Sequence, residues 1–142
     1  MNARLRFVQL ALPLDTESES RRPAATHPDD KRDAEHLTAW HCQYNATYFG
    51  GALRPLAVRV SRRMRTLLGQ YTVGTRGGRG DIAISRRHLR RHGWTEALQT
   101  LLHEMVHQWQ DENGLPIDHG SNFRAKAREI GIPPFARRTF AA

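Results

Sequence analysis

The apolar positions of the chain change period along its length, and this change separates expected helices from expected strands. Residues 33–49 carry apolar side chains at three- and four-residue intervals, which predicts a helix with one buried face. That buried face would contain Leu37, Trp40, Tyr44 and Tyr48. The pair Gly50-Gly51 follows and predicts the end of this helix.

Three short segments then alternate between apolar and polar residues, the two-residue period of β-strands. They are residues 56–60, 67–73 and 81–85. A turn rich in glycine and arginine, 74–80, joins the second and third segments, so we expect these two to pair as a hairpin. Gly69 indicates a bulge or a point of close approach in the second strand.

The longest helical pattern follows residues 86–92, which we interpret as a basic connector. Thr95 is the expected N-cap of this helix, which should continue to about Asn113. Its buried stripe would contain Leu98, Leu101, Leu102, Met105, Val106 and Trp109.

A last helix is expected from a cap at Ser121 to Ile130, with Gly131 as its stop. Its buried stripe would contain Phe123, Ala127 and Ile130. The order of helix, three strands and two helices predicts an α+β fold with a small three-stranded sheet.

The N-terminal residues 1–32 lack such a pattern, and from about 15 to 31 they are mostly polar and charged. We expect a disordered tail there, ahead of a folded domain at 33–142. No segment is long and apolar enough to span a membrane, and the run 7–14 is too interrupted for a signal peptide. The single cysteine, Cys42, excludes a disulfide within the chain and suits a cytoplasmic location.

The candidate chemistry lies in the second expected helix, where residues 103–107 read His-Glu-Met-Val-His. One helical turn separates His103 from His107, so both imidazoles can bind one zinc ion. Glu104 adjoins the first ligand and would serve as general base toward water. The polar pair His103 and Glu104 interrupts an apolar stripe, where polarity is costly without a role.

A catalytic zinc site needs a third protein ligand and one open position. His119 is the candidate, because it follows a helix stop at Gly114 and Pro116. Glu129 on the last expected helix is the alternative. We favour His119, because it lies at the start of that helix whereas Glu129 lies about two turns further along.

Other polar residues receive weaker assignments. Asp111 and Asp118 are candidates to hold the ligand imidazoles by their second nitrogen. Tyr71 and His88 are candidates for stabilising the oxyanion, with packing as the simpler explanation for each. The remaining histidines are assigned no metal role, on the ground that they lack ligand spacing: His27, His36, His41, His88 and His92.

Together these segments resemble the SprT-like zinc metalloprotease family (Spartan-related) over roughly residues 37–132. The matching residues are Trp40, Tyr44-Asn45, 48–51, 53–60, 69–71, 82–85, 101–107, 118–120 and Phe123. The resemblance implies zinc ligands at His103, His107 and His119 and a catalytic Glu104. It also implies a zincin-like fold and an intracellular protease that acts on DNA-associated or DNA-crosslinked proteins, as in DNA repair.

The chain departs from that family in two respects. Many bacterial members carry a cysteine-rich zinc ribbon after the protease core, and with one cysteine we expect a minimal form without it. Ser121-Asn122 stand where Pro-Glu is frequent. Two alternatives therefore stay open, a zinc-containing DNA-binding or scaffold module without turnover and a small zinc protease that cleaves a repressor.

The net charge of +8 favours a polyanionic partner, with nucleic acid first, although an arginine-biased composition would also produce it. Nine arginines fall in expected loops and connectors and would form a phosphate-binding surface near the catalytic cleft, without preference for DNA sequence. They are Arg62, Arg63, Arg65, Arg76, Arg79, Arg86, Arg87, Arg90 and Arg91.

A second partner is suggested by the segment Gln9–Leu14, which reads Gln-Leu-Ala-Leu-Pro-Leu. It resembles the bacterial sliding-clamp-binding motif Gln-Leu-x-Leu-x-Leu and precedes the expected disordered linker, where such tethers usually lie. The alternative is a short amphipathic strand that adds to the sheet.

Overall fold

A computed structural model of the protein describes residues 27–134. The fold is α+β, as predicted. Its elements are α1 (Pro28–Phe49), β1 (Val58–Ser61), β2 (Gly69–Thr72), β3 (Asp81–Ser85), α2 (Arg86–Glu112) and α3 (Ser121–Ile130). By its internal contacts the chain divides into two units, 1–31 and 32–142, and the sheet lies in the second. Within 27–134, no helix has the length and apolar character that crossing a membrane requires.

The sheet has the strand order β1-β3-β2. β2 and β3 pair antiparallel, with Gln70 opposite Ala83, which confirms the predicted hairpin. β1 pairs with β3 in parallel, with Ser61 beside Ser85. The central strand β3 is therefore buried between two neighbours, and β2 forms one edge of the sheet.

Helix α1 begins earlier than the sequence indicated, so the expected disorder of residues 28–32 is wrong. Pro28 occupies the first helical turn, where its missing N–H costs nothing. Asp29 and Asp30 follow, and negative charge is favourable at a helix N-terminus. His27 Nδ1 accepts a hydrogen bond from the Asp29 amide at 3.1 Å. The polar residues that suggested a disordered tail therefore form the first turn of this helix.

The buried line of α1 also differs from the predicted stripe. It contains Leu37, His41, Asn45 and Phe49. Trp40 and Tyr44 are only partly buried, and Tyr48 is exposed. Two polar side chains enter the core because both are hydrogen bonded. The Asn45 amide, for example, donates to the Leu53 carbonyl at 2.9 Å and accepts from the Leu53 amide at 3.0 Å.

Helix α2 starts directly after β3, so residues 86–92 are helical and the expected basic connector is wrong. Ser85 is the N-cap, and its hydroxyl accepts from the His88 amide at 3.2 Å. The expected cap, Thr95, lies inside the helix. Gly93 has φ 85° and ψ 176°, a conformation that interrupts the helix with a kink. The serine cap therefore begins a helix that the glycine bends.

The apolar stripe of α2 forms most of the contact between this helix and the sheet. Leu101, Leu102, Met105 and Val106 are buried, while Leu98 and Trp109 pack against the core from its margin. The predicted stripe is confirmed. The helix packs on β2, β3 and α3, so the residues next to this stripe lie between the sheet and the last helix.

Helix α3 closes the other side of α2. Its predicted stripe is confirmed, since Phe123, Ala127 and Ile130 are all buried. Gly131 ends the helix in a left-handed conformation with φ 83°, as predicted. The N-cap is Gly120 with no side-chain cap hydrogen bond, so the assignment of Ser121 as the cap is wrong.

Gly69 is a point of close approach between β2 and α2, as predicted. A Cβ atom at this position would lie 2.7 Å from Thr100 Cγ2 and 3.2 Å from Ile84 Cδ1. Because no real Cβ contact is that short, only glycine allows the edge strand to lie this near the helix. This contact sets the distance between β2 and the helix that carries residues 103–107.

Candidate metal centre

Three imidazoles converge at the side of α2 that faces the last helix. His103 and His107 are one turn apart on α2, and His119 lies in the segment that leads into α3. His119 Nε2 is 3.1 Å from His103 Nε2 and 3.1 Å from His107 Nε2. Among residues 27–134, these three form the one group of histidine, cysteine or acidic side chains placed to share a metal ion. We call this group of three candidate ligands the metal site.

The geometry of the metal site fits zinc. Zinc–nitrogen bonds of 2.0–2.1 Å at a tetrahedral angle place two ligand nitrogens about 3.3 Å apart. The observed separations of 3.1 Å are close to that value. Three neutral nitrogen donors with one position left open are also a donor set that catalytic zinc uses.

The protonation of His107 is fixed by Gln110, a fully buried residue one turn further along α2. The Gln110 amide nitrogen donates to the Asp118 carbonyl at 3.1 Å, which turns its oxygen toward His107. The His107 Nδ1–H therefore donates to Gln110 Oε1 at 2.9 Å. This bond leaves the lone pair of His107 on Nε2, the atom that faces His119.

Burial favours the metal-binding protonation state of two ligands. It lowers the pKa of His107, against the opposing effect of its hydrogen bond to Gln110. Burial likewise lowers the pKa of His119. Since a metal binds the neutral imidazole, both shifts prepare these ligands for a cation.

The loop that delivers His119 is shaped by backbone hydrogen bonds. Asp118 Oδ1 accepts from the Gly120 amide at 3.0 Å, which turns the chain at His119. Arg124 then donates from Nη1 to the His119 carbonyl at 2.9 Å. Asp118 was expected to hold a ligand imidazole directly. Its backbone carbonyl instead orients Gln110, which holds the imidazole.

Phe123 packs against all three ligands. Its ring centroid lies 4.8 Å from His103, 4.9 Å from His107 and 4.8 Å from His119. The ring is completely buried. An apolar wall at this distance limits the positions open to the imidazoles and keeps water from one side of the metal site.

The alternative third ligand, Glu129, is not part of the metal site. It lies on the solvent face of α3, with 63% of its side chain exposed, and pairs with Lys126 at 3.2 Å. Glu129 faces solvent because buried Phe123 and Ala127 define the opposite face of α3.

Glu104 is buried beside the metal site, next to the edge strand. The backbone N–H of Tyr71 donates to its carboxylate. Burial raises the pKa of Glu104 to about 7, although the Tyr71 hydrogen bond opposes the shift. A carboxyl group with this pKa can both accept and release a proton near neutral pH.

Tyr71 contributes its side chain as well as its backbone. Its hydroxyl donates to Asp111 Oδ2 at 2.6 Å. Burial raises the pKa of Tyr71, and this hydrogen bond adds to the effect. Asp111, expected to hold a ligand imidazole, thus contacts the edge strand, and the strand is tied to α2 at both Glu104 and Asp111.

His88, the other candidate for the oxyanion, lies in a separate buried cluster. Its Nε2 is 2.8 Å from Thr100 Oγ1, and its Nδ1 is 2.7 Å from His92 Nδ1. The side chain is 1% exposed. These contacts support the packing explanation for His88.

Five of the nine predicted arginines line one cleft of about 370 Å³, which we call the arginine cleft. They are Arg62, Arg86, Arg87, Arg90 and Arg91. The other four arginines of the predicted set do not line it, and neither does any ligand of the metal site. Five of the nine predicted arginines therefore share one cleft, and the nearness of an arginine surface to the metal site stays a prediction.

Comparison with known proteins places this arrangement in context. Residues 37–138 match the model of the SprT-like family. A DNA-dependent metalloprotease of Caenorhabditis elegans, dvc-1, is 34% identical over 100 residues, 66% of this chain and 27% of the relative. The DNA-dependent metalloprotease SPRTN of Rattus norvegicus is 34% identical over 98 residues, 63% of this chain and 20% of the relative. The similarity thus spans about a quarter of these relatives' length or less.

Proposed function

The chain belongs to the SprT-like family, and on that premise we propose that it is a zinc-dependent endopeptidase. Its substrates in this proposal are DNA-associated or DNA-crosslinked proteins. The relatives named DNA-dependent metalloproteases support both the reaction and the connection with DNA. This chain matches only part of the length of these relatives. That it shares their activity is therefore a proposal.

The observation that carries the proposal is a buried carboxyl group that follows, in sequence, the first of three converging imidazoles. Glu104 is 7% exposed, and His103 and His107 each place Nε2 3.1 Å from His119 Nε2. A purely structural zinc site is usually closed by four protein ligands and needs no general base. Three nitrogen donors with an adjacent proton acceptor are what peptide hydrolysis requires.

In this proposal His103, His107 and His119 hold the zinc ion. When bound, zinc supplies Lewis-acid polarisation of the scissile carbonyl and lowers the pKa of water towards about 7. Glu104 accepts a proton from the attacking water and then delivers it to the leaving amine.

The neighbouring residues hold this machinery in position. Gln110 fixes the tautomer of His107, and the backbone of Tyr71 holds the Glu104 carboxylate. Gln110 and Tyr71 are themselves held from outside α2. Gln110 donates to the loop that carries His119, and Tyr71 is paired within the sheet. The geometry therefore depends on the fold and not on α2 alone.

The edge strand β2 offers a binding mode for the substrate. Within the described residues it pairs on one side only, with β3. An extended peptide can add to such an edge through its main chain, which gives broad tolerance of substrate sequence. Because Tyr71 on this strand contacts Glu104, a peptide on the edge lies next to the general base.

The test compares wild type with Glu104→Gln in a casein and histone cleavage assay, with and without single-stranded DNA. We expect cleavage to fall by at least about 100-fold, because the amide cannot accept the proton. Bound zinc, measured by elemental analysis, should be unchanged. Equal cleavage by both proteins contradicts the assignment of Glu104. Zinc binding without cleavage by either protein supports the scaffold alternative.

The clamp-binding segment Gln9–Leu14 lies outside the described residues, and its role stays a proposal. A pull-down with the bacterial sliding clamp, comparing wild type with Gln9→Ala/Leu10→Ala, tests it. We expect recovery only with the wild-type sequence, and equal recovery removes the idea. The expected cytoplasmic location also stays a prediction.

A further inference from the structure

The arginine cleft is built by the topology of the sheet. β1 and β3 are parallel neighbours, and their last residues, Ser61 and Ser85, lie side by side. Arg62 and Arg86 come directly after these two serines, so the register brings them together although 24 positions separate them in sequence. Both line the cleft. The carboxyl ends of adjacent parallel strands are a common place for ligands.

The first turns of α2 add three more guanidinium groups. Arg87, Arg90 and Arg91 are three and four residues apart, the spacing of one helical face. All three are exposed and line the same cleft. The cleft thus presents a row of exposed guanidinium groups beside the two that follow the strands.

This concentration of positive charge is unfavourable for the helix itself. The N-terminus of a helix carries the positive end of its dipole, and cations there are destabilising. Helix α2 has no acidic residue in its first turn. Asp33 pairs with Arg86 at 2.9 Å and offsets one charge. An external anion bound near Arg87, Arg90 and Arg91 would reduce this concentration of positive charge and would also be favoured by the helix dipole.

A row of aromatic rings on α1 begins next to the cleft. The ring of Trp40 is 5.1 Å from that of Tyr44, which is 5.7 Å from that of Tyr48. We call these three the aromatic ladder. At its near end the ring of His36 lies 4.7 Å from Trp94, three residues beyond the last arginine of the cleft.

The ladder is accessible from solvent. Trp40 and Tyr44 are partly exposed, and Tyr48 is exposed over 36% of its surface. Trp40 and Tyr44 also pack against the hydrophobic core, so each presents only part of its ring to solvent. Exposed aromatic rings are surfaces on which unpaired bases can stack. Asp33, the ion-pair partner of Arg86, lies on the same helix as the ladder, about two turns before Trp40.

We propose that the arginine cleft binds the phosphodiester backbone of single-stranded DNA and that the aromatic ladder stacks its unpaired bases. Guanidinium groups form paired hydrogen bonds to phosphate oxygens. A basic groove next to exposed rings is the pattern by which single strands are bound without sequence preference. The choice of DNA as the polyanion rests on the proposed function. The bound strand would lie on the same helix as the metal ligands, beyond the Gly93 kink.

The first test measures binding of a labelled oligothymidine by fluorescence anisotropy over a range of salt concentrations. We expect Arg87→Ala/Arg90→Ala to weaken binding at least about tenfold and to reduce the slope of log Kd against log salt by about 1.4. The matched control Arg65→Ala/Arg128→Ala removes the same charge from exposed positions outside the cleft. It should change affinity less than about twofold. Circular dichroism confirms that each variant is folded.

The second test separates base stacking from charge without altering the core. An abasic strand keeps the phosphates and loses the bases, so wild type should bind it at least about fivefold more weakly. Tyr48→Ala should weaken oligothymidine binding by a similar factor and leave the affinity for the abasic strand unchanged. Duplex DNA, whose bases are already stacked, should bind more weakly than the single strand.

Three results overturn the proposal. An equal loss of DNA affinity in the cleft variant and the control would show that attraction is due to diffuse charge. Unchanged DNA affinity in both would show that the strand binds elsewhere. Equal affinity for normal and abasic strands removes the role of the ladder. Because binding is measured without proteolysis, cleavage that fails while binding persists rejects the protease proposal alone. Cleavage of free casein by a protein that does not bind DNA rejects the cleft alone.

Discussion

Helix α2 carries two pairs of histidines with the same spacing, and only one of them is placed with a third side chain that could share a metal ion. His88 and His92 are four residues apart, as are His103 and His107. The ring centroids of the two pairs are 4.9 Å and 5.1 Å apart, so the pairs are alike in local geometry. They differ in what the fold places around them.

The first pair is closed by its own contacts, and the second is left open toward a third ligand. His88 and His92 approach each other at 2.7 Å through Nδ1, and Thr100 occupies the remaining nitrogen of His88. His103 and His107 instead direct Nε2 at His119. Spacing is therefore necessary but not sufficient, and the sequence-based ground for excluding His88 and His92 was wrong.

The largest effect should come from removing the third ligand. His119→Ala leaves two imidazoles, too few for a stable catalytic site, so bound zinc should fall from about one per chain to a trace. His92→Ala is the matched control from the other pair and should keep its zinc. Elemental analysis after desalting measures both. Zinc lost equally from both variants would show that the two pairs do not differ in the way described.

A smaller effect should follow from the residue that orients His107. Gln110→Ala removes the acceptor of its Nδ1–H, so zinc affinity should fall about 10- to 100-fold in a chelator competition. Gln108→Ala is the control, since Gln108 is equally buried on the same helix and bonds to His41 instead. It should lower stability and leave zinc affinity within about threefold. The reverse order of the two affinities contradicts the role of Gln110.

The spacing between β2 and α2 should be sensitive to one methyl group. Gly69→Ala forces its Cβ against Thr100 Cγ2, and we expect a loss of about 1–3 kcal/mol in the free energy of unfolding. Thr100→Ser removes that methyl group and keeps the hydroxyl that contacts His88, so it should recover part of the loss. Urea unfolding of the four proteins measures the coupling. Additive losses would show that this contact does not set the spacing.

The smallest effect concerns a third buried environment, that of His41. Burial lowers its pKa from 6.5, against the opposing effects of its hydrogen bond to Gln108 and of Glu112. The unfolded state then binds the proton more readily, so this contribution to stability is intact above pH 6.5 and is lost as the pH falls towards the folded pKa. The urea midpoint should fall from about pH 8 to about pH 5.5 more steeply in wild type than in His41→Gln. Parallel curves would exclude His41 as a contributor.

The sequence was least informative where polar residues are buried. On α1 it favoured the aromatic line at Trp40 and Tyr44 over His41 and Asn45, because hydropathy treats a polar side chain as exposed. His41 is 1% exposed because its Nε2–H donates to Gln108 at 2.7 Å from another helix. A partner 67 positions away leaves no local trace in the sequence.

The prediction for residues 86–92 was wrong for a related reason. With Leu89 as the only large apolar residue they lack a visible stripe, yet Leu89 is buried and Ser85 caps the helix. The sequence did contain a signal for this cap, since serine just before a helix is a standard N-cap. Thr95 offered the same chemistry nearer the apolar stripe, and choosing between the two required the path of the chain after β3.

The sequence by itself determined the helix that carries His103, Glu104 and His107, the hairpin, and the stripes that bury α2 and α3. These depend on periods of two and of 3.6 residues, which are local properties of the chain. Tertiary structure decided between His119 and Glu129 as the side chain that meets those imidazoles, and it alone showed that Gln110 fixes a tautomer and that the ends of β1 and β3 gather arginines into one cleft. Such convergence depends on loops and strand register that join distant segments, and no local periodicity encodes it.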